Sequence, residues 1–156
     1  PGSPWGEDGL PTRKTTWIEK GVLKHLRYSR YWAAKKGVEP LPSPANVIMT
    51  GGSASLEELI GSTEKGILVT RFWYIRDVDP KTMLMTGLTR DGSFWIENGK
   101  ISHPVKNFRF NESPVAMLKN IEAMSKPYRL QNGGSANLLP ALKVKEFTFS
   151  SLSEAV

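Results

Sequence analysis

Two histidines, His25 and His103, and no cysteine make up the soft metal-ligating side chains of this 156-residue sequence. Neither has a second His, Cys or Asp at ligand spacing, so no metal site is expected. Each reads as a solvated or hydrogen-bonded structural residue, His103 being the better functional candidate. Asp77 and Asp79, just before Pro80, fall well short of the roughly six oxygens that calcium takes, and a turn is the simpler expectation. Gly133-Gly134-Ser135 lacks the lysine and the spacing of a phosphate loop, and no Ser-His-Asp arrangement stands out. No catalytic group is expected in this chain.

A second constellation is basic and aromatic. Lys24, Arg27, Arg30, Lys35 and Lys36 are interleaved with Tyr28, Tyr31 and Trp32, a composition shared with single-strand nucleic-acid binders. The favoured reading is an amphipathic turn with its aromatics in the core and its cations in water, because no recognised nucleic-acid module surrounds it.

The elements that position these residues are mostly short. Thr15 to Glu19 and Val22 to Tyr28 form a hairpin about Lys20-Gly21. Ser29 caps a helix over Arg30 to Lys36, which Gly37 ends in the left-handed conformation. Prolines 40, 42 and 44 make residues 38–46 an extended connector, with a strand expected through Val47 to Thr50. Ser55 to Glu58 fits a capping box for a two-turn helix closed by Gly61. Gly66 to Ile75 and Thr82 to Thr89 are expected to pair about the turn Asp77 to Pro80. Asp91-Gly92 and Asn98-Gly99 read as hairpin turns flanking Ser93 to Glu97, with the meander continuing from Ile101 to Phe110. Ser113-Pro114 opens a helix whose apolar face (Val115, Met117, Leu118, Ile121, Met124) runs to Pro127. Gln131 to Asn137 is a polar glycine-rich loop, and Leu138 to Ser150 returns to strand, offering Val144, Phe147 and Phe149 for burial.

An apolar content of 39% over this length supports one domain with a core, residues 1–156. Residues 1–14 read as linker, and the start at Pro1 rather than Met suggests a sequence that begins partway through a longer protein. The formal charge of +6, from 21 basic and 15 acidic side chains, is a weak pointer to acidic partners. No apolar run approaches the ~20 residues of a membrane span, and the absence of cysteine suits a reducing compartment, so a soluble cytoplasmic chain is expected. The expected fold class is α+β, mainly antiparallel β: a barrel-like meander of hairpins with two or three peripheral helices.

Trp-Ile-Glu-x-Gly occurs twice, as WIEKG at Trp17 to Gly21 and WIENG at Trp95 to Gly99. The flanks do not align, so reuse of a good turn is preferred to duplication. The second copy lies in a series of segments, SLEELIGSTEKGILVTRF from Ser55, DGSFWIENGKISHPVKNFRF from Asp91 and SPVAMLKNIEAM from Ser113. This series resembles the C-terminal part of the TldD/PmbA family of metallopeptidases, once called modulators of DNA gyrase. The stretch from Gly2 to Gly37 is similar to that family's linker and hairpin, and PALKVKEFTFSSLSEAV to its final strands.

The resemblance implies a cytoplasmic, dimeric protein, pairing with itself or with a related subunit and acting on unfolded peptides, leader peptides or antitoxins. It also implies a barrel-like C-terminal sheet domain. In zinc-dependent members an HExxxH helix supplies two histidines and a C-terminal cysteine a third ligand, and zinc-polarised water attacks the peptide with the glutamate as base. Here HExxxH is absent, and Asn132-Gly133-Gly134-Ser135 stands where the cysteine is expected. No ligand carries over, so this chain alone is not expected to be a protease, and zinc would belong to the full-length parent. The resulting expectation is a scaffold, dimerisation and peptide-binding domain with Arg71, Trp73 and His103 as wall residues. A nucleic-acid module at Lys24 to Lys36 is the alternative.

Overall fold

A computed structural model describes residues 3–6, 8–132 and 135–153, and the side chains of these other than 131, 132 and 135. In chain order the elements are β1 (Ile18–Glu19), β2 (Val22–Leu23), α1 (Arg30–Lys36), α2 (Leu56–Gly61), β3 (Lys65–Asp79), β4 (Leu84–Glu97) and β5 (Lys100–Val105). They continue with β6 (Phe108–Glu112), α3 (Pro114–Lys119), β7 (Ile121–Met124), β8 (Tyr128–Asn132), β9 (Ser135–Leu139), β10 (Leu142–Val144) and β11 (Phe149–Leu152). Mainly antiparallel strands with three helices is therefore the architecture, and its sheets stay open rather than closing into a barrel. Among the described residues no helix is long and apolar enough to cross a membrane. Two compact units divide the chain, residues 1–49 with 128–139, and residues 50–127 with 140–156.

In the first unit, Lys20 (φ 51°) and Gly21 (φ 77°) both turn left-handed, the pairing that matches a two-residue turn to strand twist. The strands are shorter than expected, although Lys24 N–H still donates to Trp17 O at 2.8 Å. Helix α1 follows its local signals: Ser29 Oγ accepts from Trp32 N–H, and Gly37 ends it at φ 64°. The strand expected at Val47 to Thr50 reduces to one parallel bridge between Ile48 and Leu138. Here Val47 is held by the side chain of Asn137, whose Oδ1 accepts from its N–H at 2.9 Å. The expected loop Gln131 to Asn137 is instead largely the arms of the β8–β9 hairpin, with Gln131 opposite Ala136 and Asn132 opposite Ser135. Polar residues serve an exposed ladder as well as a loop, so composition did not separate the two; Gly133 and Gly134 lie outside the described residues.

The second unit is built on the long β3–β4 pair, in register from Lys65–Glu97 to Asp79–Leu84. Ser55 and Glu58 complete the capping box of α2, each accepting the other's backbone N–H, at 3.1 and 2.7 Å. Gly61 falls inside this helix and Ser62 caps it, its carbonyl accepting from Lys143 Nζ at 2.9 Å, where a cation meets the negative helix end.

Asp91-Gly92 is not a hairpin turn. Both residues lie within β4 at positive φ (59° and 125°), and they face the single residue Thr70 across the ladder. This is a bulge, and Thr70 Oγ1 secures it by donating to Gly92 O at 2.8 Å. Here the second edge of β4 changes partner, from β6 at Met85 to Leu88 to β5 at Ser93 to Glu97. Buried Thr89 ties the junction together: its hydroxyl accepts from Phe108 N–H and from Ser93 Oγ, both at 2.9 Å, and donates to Asn107 Oδ1 at 3.3 Å.

The helix expected to run to Pro127 stops at Lys119. Ser113 Oγ makes no capping bond and donates instead to Thr82 O at 3.1 Å. Ile121 to Met124 then pair with Leu142 to Val144, and Asn120 O accepts from Lys145 N–H at 2.8 Å. The spacing that suggests a helical face is outweighed by a distant strand, because short helices gain little from propensity alone. The aromatic centre of this unit is Phe72, Phe110, Phe147 and Phe149, with neighbouring ring centroids 5.0 to 5.5 Å apart.

Candidate functional site

Strand β3 is an edge: it pairs with β4 on one side and, among the described residues, with no strand on the other. Residues two apart on a strand share a face, so Arg71 and Trp73 project together while Phe72 between them turns to the aromatic centre. Arg90 stands opposite Arg71 in the register and lays its guanidinium 4.3 Å from the centre of the Trp73 ring. Asp91, raised by the bulge, pairs with Arg71 and lies 3.8 Å from Arg90 Nε. Tyr74, at φ 56°, lies 5.2 Å from the Trp73 ring, and the Arg76 guanidinium stacks on it at 4.1 Å.

Three arginines and two aromatics thus gather on β3 and the facing part of β4, and the outer edge of β3 has no strand partner among the described residues. Such a surface suits an extended chain held by main-chain hydrogen bonds. Beyond it, Asp79 ends the strand; hydrogen bonds from the Thr82 hydroxyl and the Lys81 N–H hold its carboxyl below the ordinary aspartate range.

His103 is not part of this group. It lies on β5 opposite Trp95, whose partner on β3 is Ile67, six positions from Trp73 and roughly 20 Å away along the ladder. Its exposed ring meets the neighbouring Ser102 hydroxyl at 3.1 Å. Arg71 and Trp73 are therefore brought together and His103 is not. Arg90 and Asp91 were missed because Asp91-Gly92 read as a turn, Arg76 lies just past the expected strand Gly66 to Ile75, and Tyr74, within it, is set apart only by its ring contacts. Uninterrupted pairing about Pro80 to Met83 would set Gly92 opposite Arg71; the irregularities between Trp73 and Arg76 and between Asp77 and Asp79 shift the register and bring Arg90 there.

The described residues do not fit zinc. Among the described residues no three His, Cys, Asp or Glu side chains form a group able to hold a metal ion. The two histidines lie in different units, each exposed, and there is no cysteine. An apolar cleft of about 900 Å³ in the second unit is lined by residues such as Leu59, Ile67, Phe72, Met117 and Phe147, and by Glu112, which accepts from the Thr148 N–H, and Glu122, 3.8 Å from Lys143 Nζ.

Comparison with known proteins gives these features a context. The family model for the PmbA/TldA metallopeptidase C-terminal domain matches residues 2–151. A metalloprotease TldD homolog of Buchnera aphidicola is 26% identical over 140 residues, covering 81% of this chain and 29% of its own length. A zinc metalloprotease TldD homolog of Saccharolobus solfataricus is 24% identical over 150 residues, covering 83% and 31%. This chain thus spans about three-tenths of those relatives. Among solved structures, a candidate modulator of DNA gyrase from Bacteroides thetaiotaomicron is 28% identical with a TM-score of 0.77, covering 96% of this chain and 33% of that one. TldE from Thermococcus kodakarensis, 21% identical and covering 94% and 36%, shares the fold at a TM-score of 0.76. With the family model matched over nearly its whole length, the chain belongs to the PmbA/TldA metallopeptidase C-terminal domain family.

Proposed function

We propose that this chain serves a TldD/PmbA-type metallopeptidase as scaffold, dimer surface and peptide-binding wall, and that it does not hydrolyse peptides by itself. The observation that carries the reading is the unpaired edge of β3 beside Arg71 and Trp73. An edge strand binds whatever extended backbone reaches it, which suits substrates recognised for being unfolded rather than for their sequence. Trp73 offers apolar area to alternate side chains, and Arg71 and Arg90 favour acidic ones. His103, on the far strand of the sheet, would meet only a different stretch of peptide.

In this reading zinc and the HExxxH histidines lie outside residues 1–156, the partner subunit is a second copy or a relative, and the site of action is the cytoplasm. Residues 1–156 act together as one domain. The names of the TldD homologs support the metallopeptidase class of the whole protein, and TldE among the fold neighbours is in keeping with paired subunits.

The test is titration of the isotopically labelled chain with an unstructured peptide, followed by NMR. Amide shifts concentrated in Lys65 to Asp79, and about fivefold weaker binding in Trp73→Ala, are expected from the loss of one partly exposed aromatic. Shifts elsewhere, with β3 silent at saturating peptide, would remove the basis for the wall.

A further inference from the structure

The cations and aromatics around α1 are not used by this function. In the structure Tyr31 and Trp32 are not core residues: they are 61% and 52% exposed. The first unit holds nine of the 21 Lys and Arg but only four of the 15 acidic residues, and so carries +5 of the formal +6. Two of those four acids are already engaged, Glu19 with Lys24 at 3.4 Å and Glu39 with Arg13 at 2.8 Å. Lys14, Lys20, Arg27 and Lys36 are all exposed.

We propose that this face of the first unit binds single-stranded nucleic acid. The two rings stand edge to face, 5.3 Å apart, and Lys35 Nζ lies over both, 4.9 Å from Tyr31 and 5.4 Å from Trp32. They thus stand together in water, and exposed rings of this kind can stack with an unpaired base whatever its identity. In the same unit a groove of about 740 Å³ is lined by Arg13, Lys14, Lys24, His25 and Tyr28. Glu39 lines it too and pairs with Arg13, as Glu19 does with Lys24, while Lys14 is exposed; a phosphate backbone that replaced those carboxylates would release condensed counterions. An acidic protein or an anionic membrane would match the charge alone; the exposed ring pair in the same unit favours nucleic acid.

The experiment is fluorescence anisotropy of labelled, mixed-sequence DNA and RNA single strands of roughly 12 nucleotides, a length within the usual site size. Affinity should fall steeply between about 50 and 200 mM salt. Replacing both rings (Tyr31→Ala with Trp32→Ala) should weaken binding roughly tenfold. Lys24→Gln with Lys36→Gln should lower the log–log salt slope by about 1.4. Lys119→Gln, in the second unit, should change nothing. The substituted side chains are exposed, so unchanged far-UV circular dichroism should accompany each loss. The proposal is overturned by absence of binding at ~100 µM protein in low salt, where even non-specific binders associate. Equal losses in all variants, or binding to phosphatidylserine vesicles without binding to either strand, would also overturn it.

Discussion

Thr89 shows how much one hydroxyl can hold. It is 1% exposed, and through three partners it joins β4 to the β5–β6 connection where β4 bends. Valine keeps its shape and removes all three bonds, leaving the Phe108 N–H unsatisfied beside a buried Ser93. Thr89→Val is expected to cost about 2 kcal/mol in urea unfolding, whereas exposed Ser150→Ala should stay within about 0.5 kcal/mol. Asp79 makes a different point. Its depressed pKa means that the folded state favours the ionised form, so the contribution is complete above the unfolded-state value and is lost as pH falls through the folded one. Removing the Thr82 hydroxyl by Thr82→Val should therefore raise the Asp79 midpoint in an NMR titration, and an unchanged midpoint would contradict the assigned cause. At the end of an edge strand and only partly shielded from water, the carboxyl is a local reporter rather than a source of global stability.

Among elements, the paired WIExG hairpins are a natural experiment. Both turns use the same backbone geometry, with Gly21 at φ 77° and Gly99 at φ 74°. A Cβ on Gly21 would meet nothing within 4 Å, but one on Gly99 would stand 2.6 Å from Gly61 O at the end of α2. Gly21→Ala should thus cost only the left-handed strain, about 1 kcal/mol, and Gly99→Ala about 1 to 2 kcal/mol more. Hydrogen exchange of each hairpin's own amides reads the two costs separately; equal costs would mean that the close approach relaxes freely. The same kind of local chemistry made α1 and the capping box of α2 legible, because Ser29, Gly37, Ser55 and Glu58 act within four residues of where they stand. It was no guide at Asp91-Gly92, where a dipeptide that favours a hairpin turn serves equally well in a bulge and only Thr70 on the facing strand distinguishes them.

At the scale of the whole molecule, the chain spans about three-tenths of the metalloprotease relatives it matches, and among its described residues no group of side chains could hold a metal ion. A bound ion would stabilise the native state by mass action, so equimolar zinc should leave the thermal midpoint unshifted. A clear rise would reveal a ligand set assembled by the fold that the described side chains do not offer. By itself the sequence determined the charge, the lack of cysteine, the family, the caps of α1, the capping box of α2 and the turns at Lys20-Gly21 and Asn98-Gly99, since each depends on composition or on neighbours along the chain. Tertiary structure alone decided that Ile121 to Met124 leave a helical pattern to pair with Leu142 to Val144. It also set Arg90 on Trp73 and His103 some six residues along the ladder from them, and left Tyr31 and Trp32 in water. The physical reason is common to all of these. Strand register and exposure are settled by partners tens of residues away, and the hydrogen bonds and buried area they supply exceed the fractions of a kcal/mol by which local preferences differ.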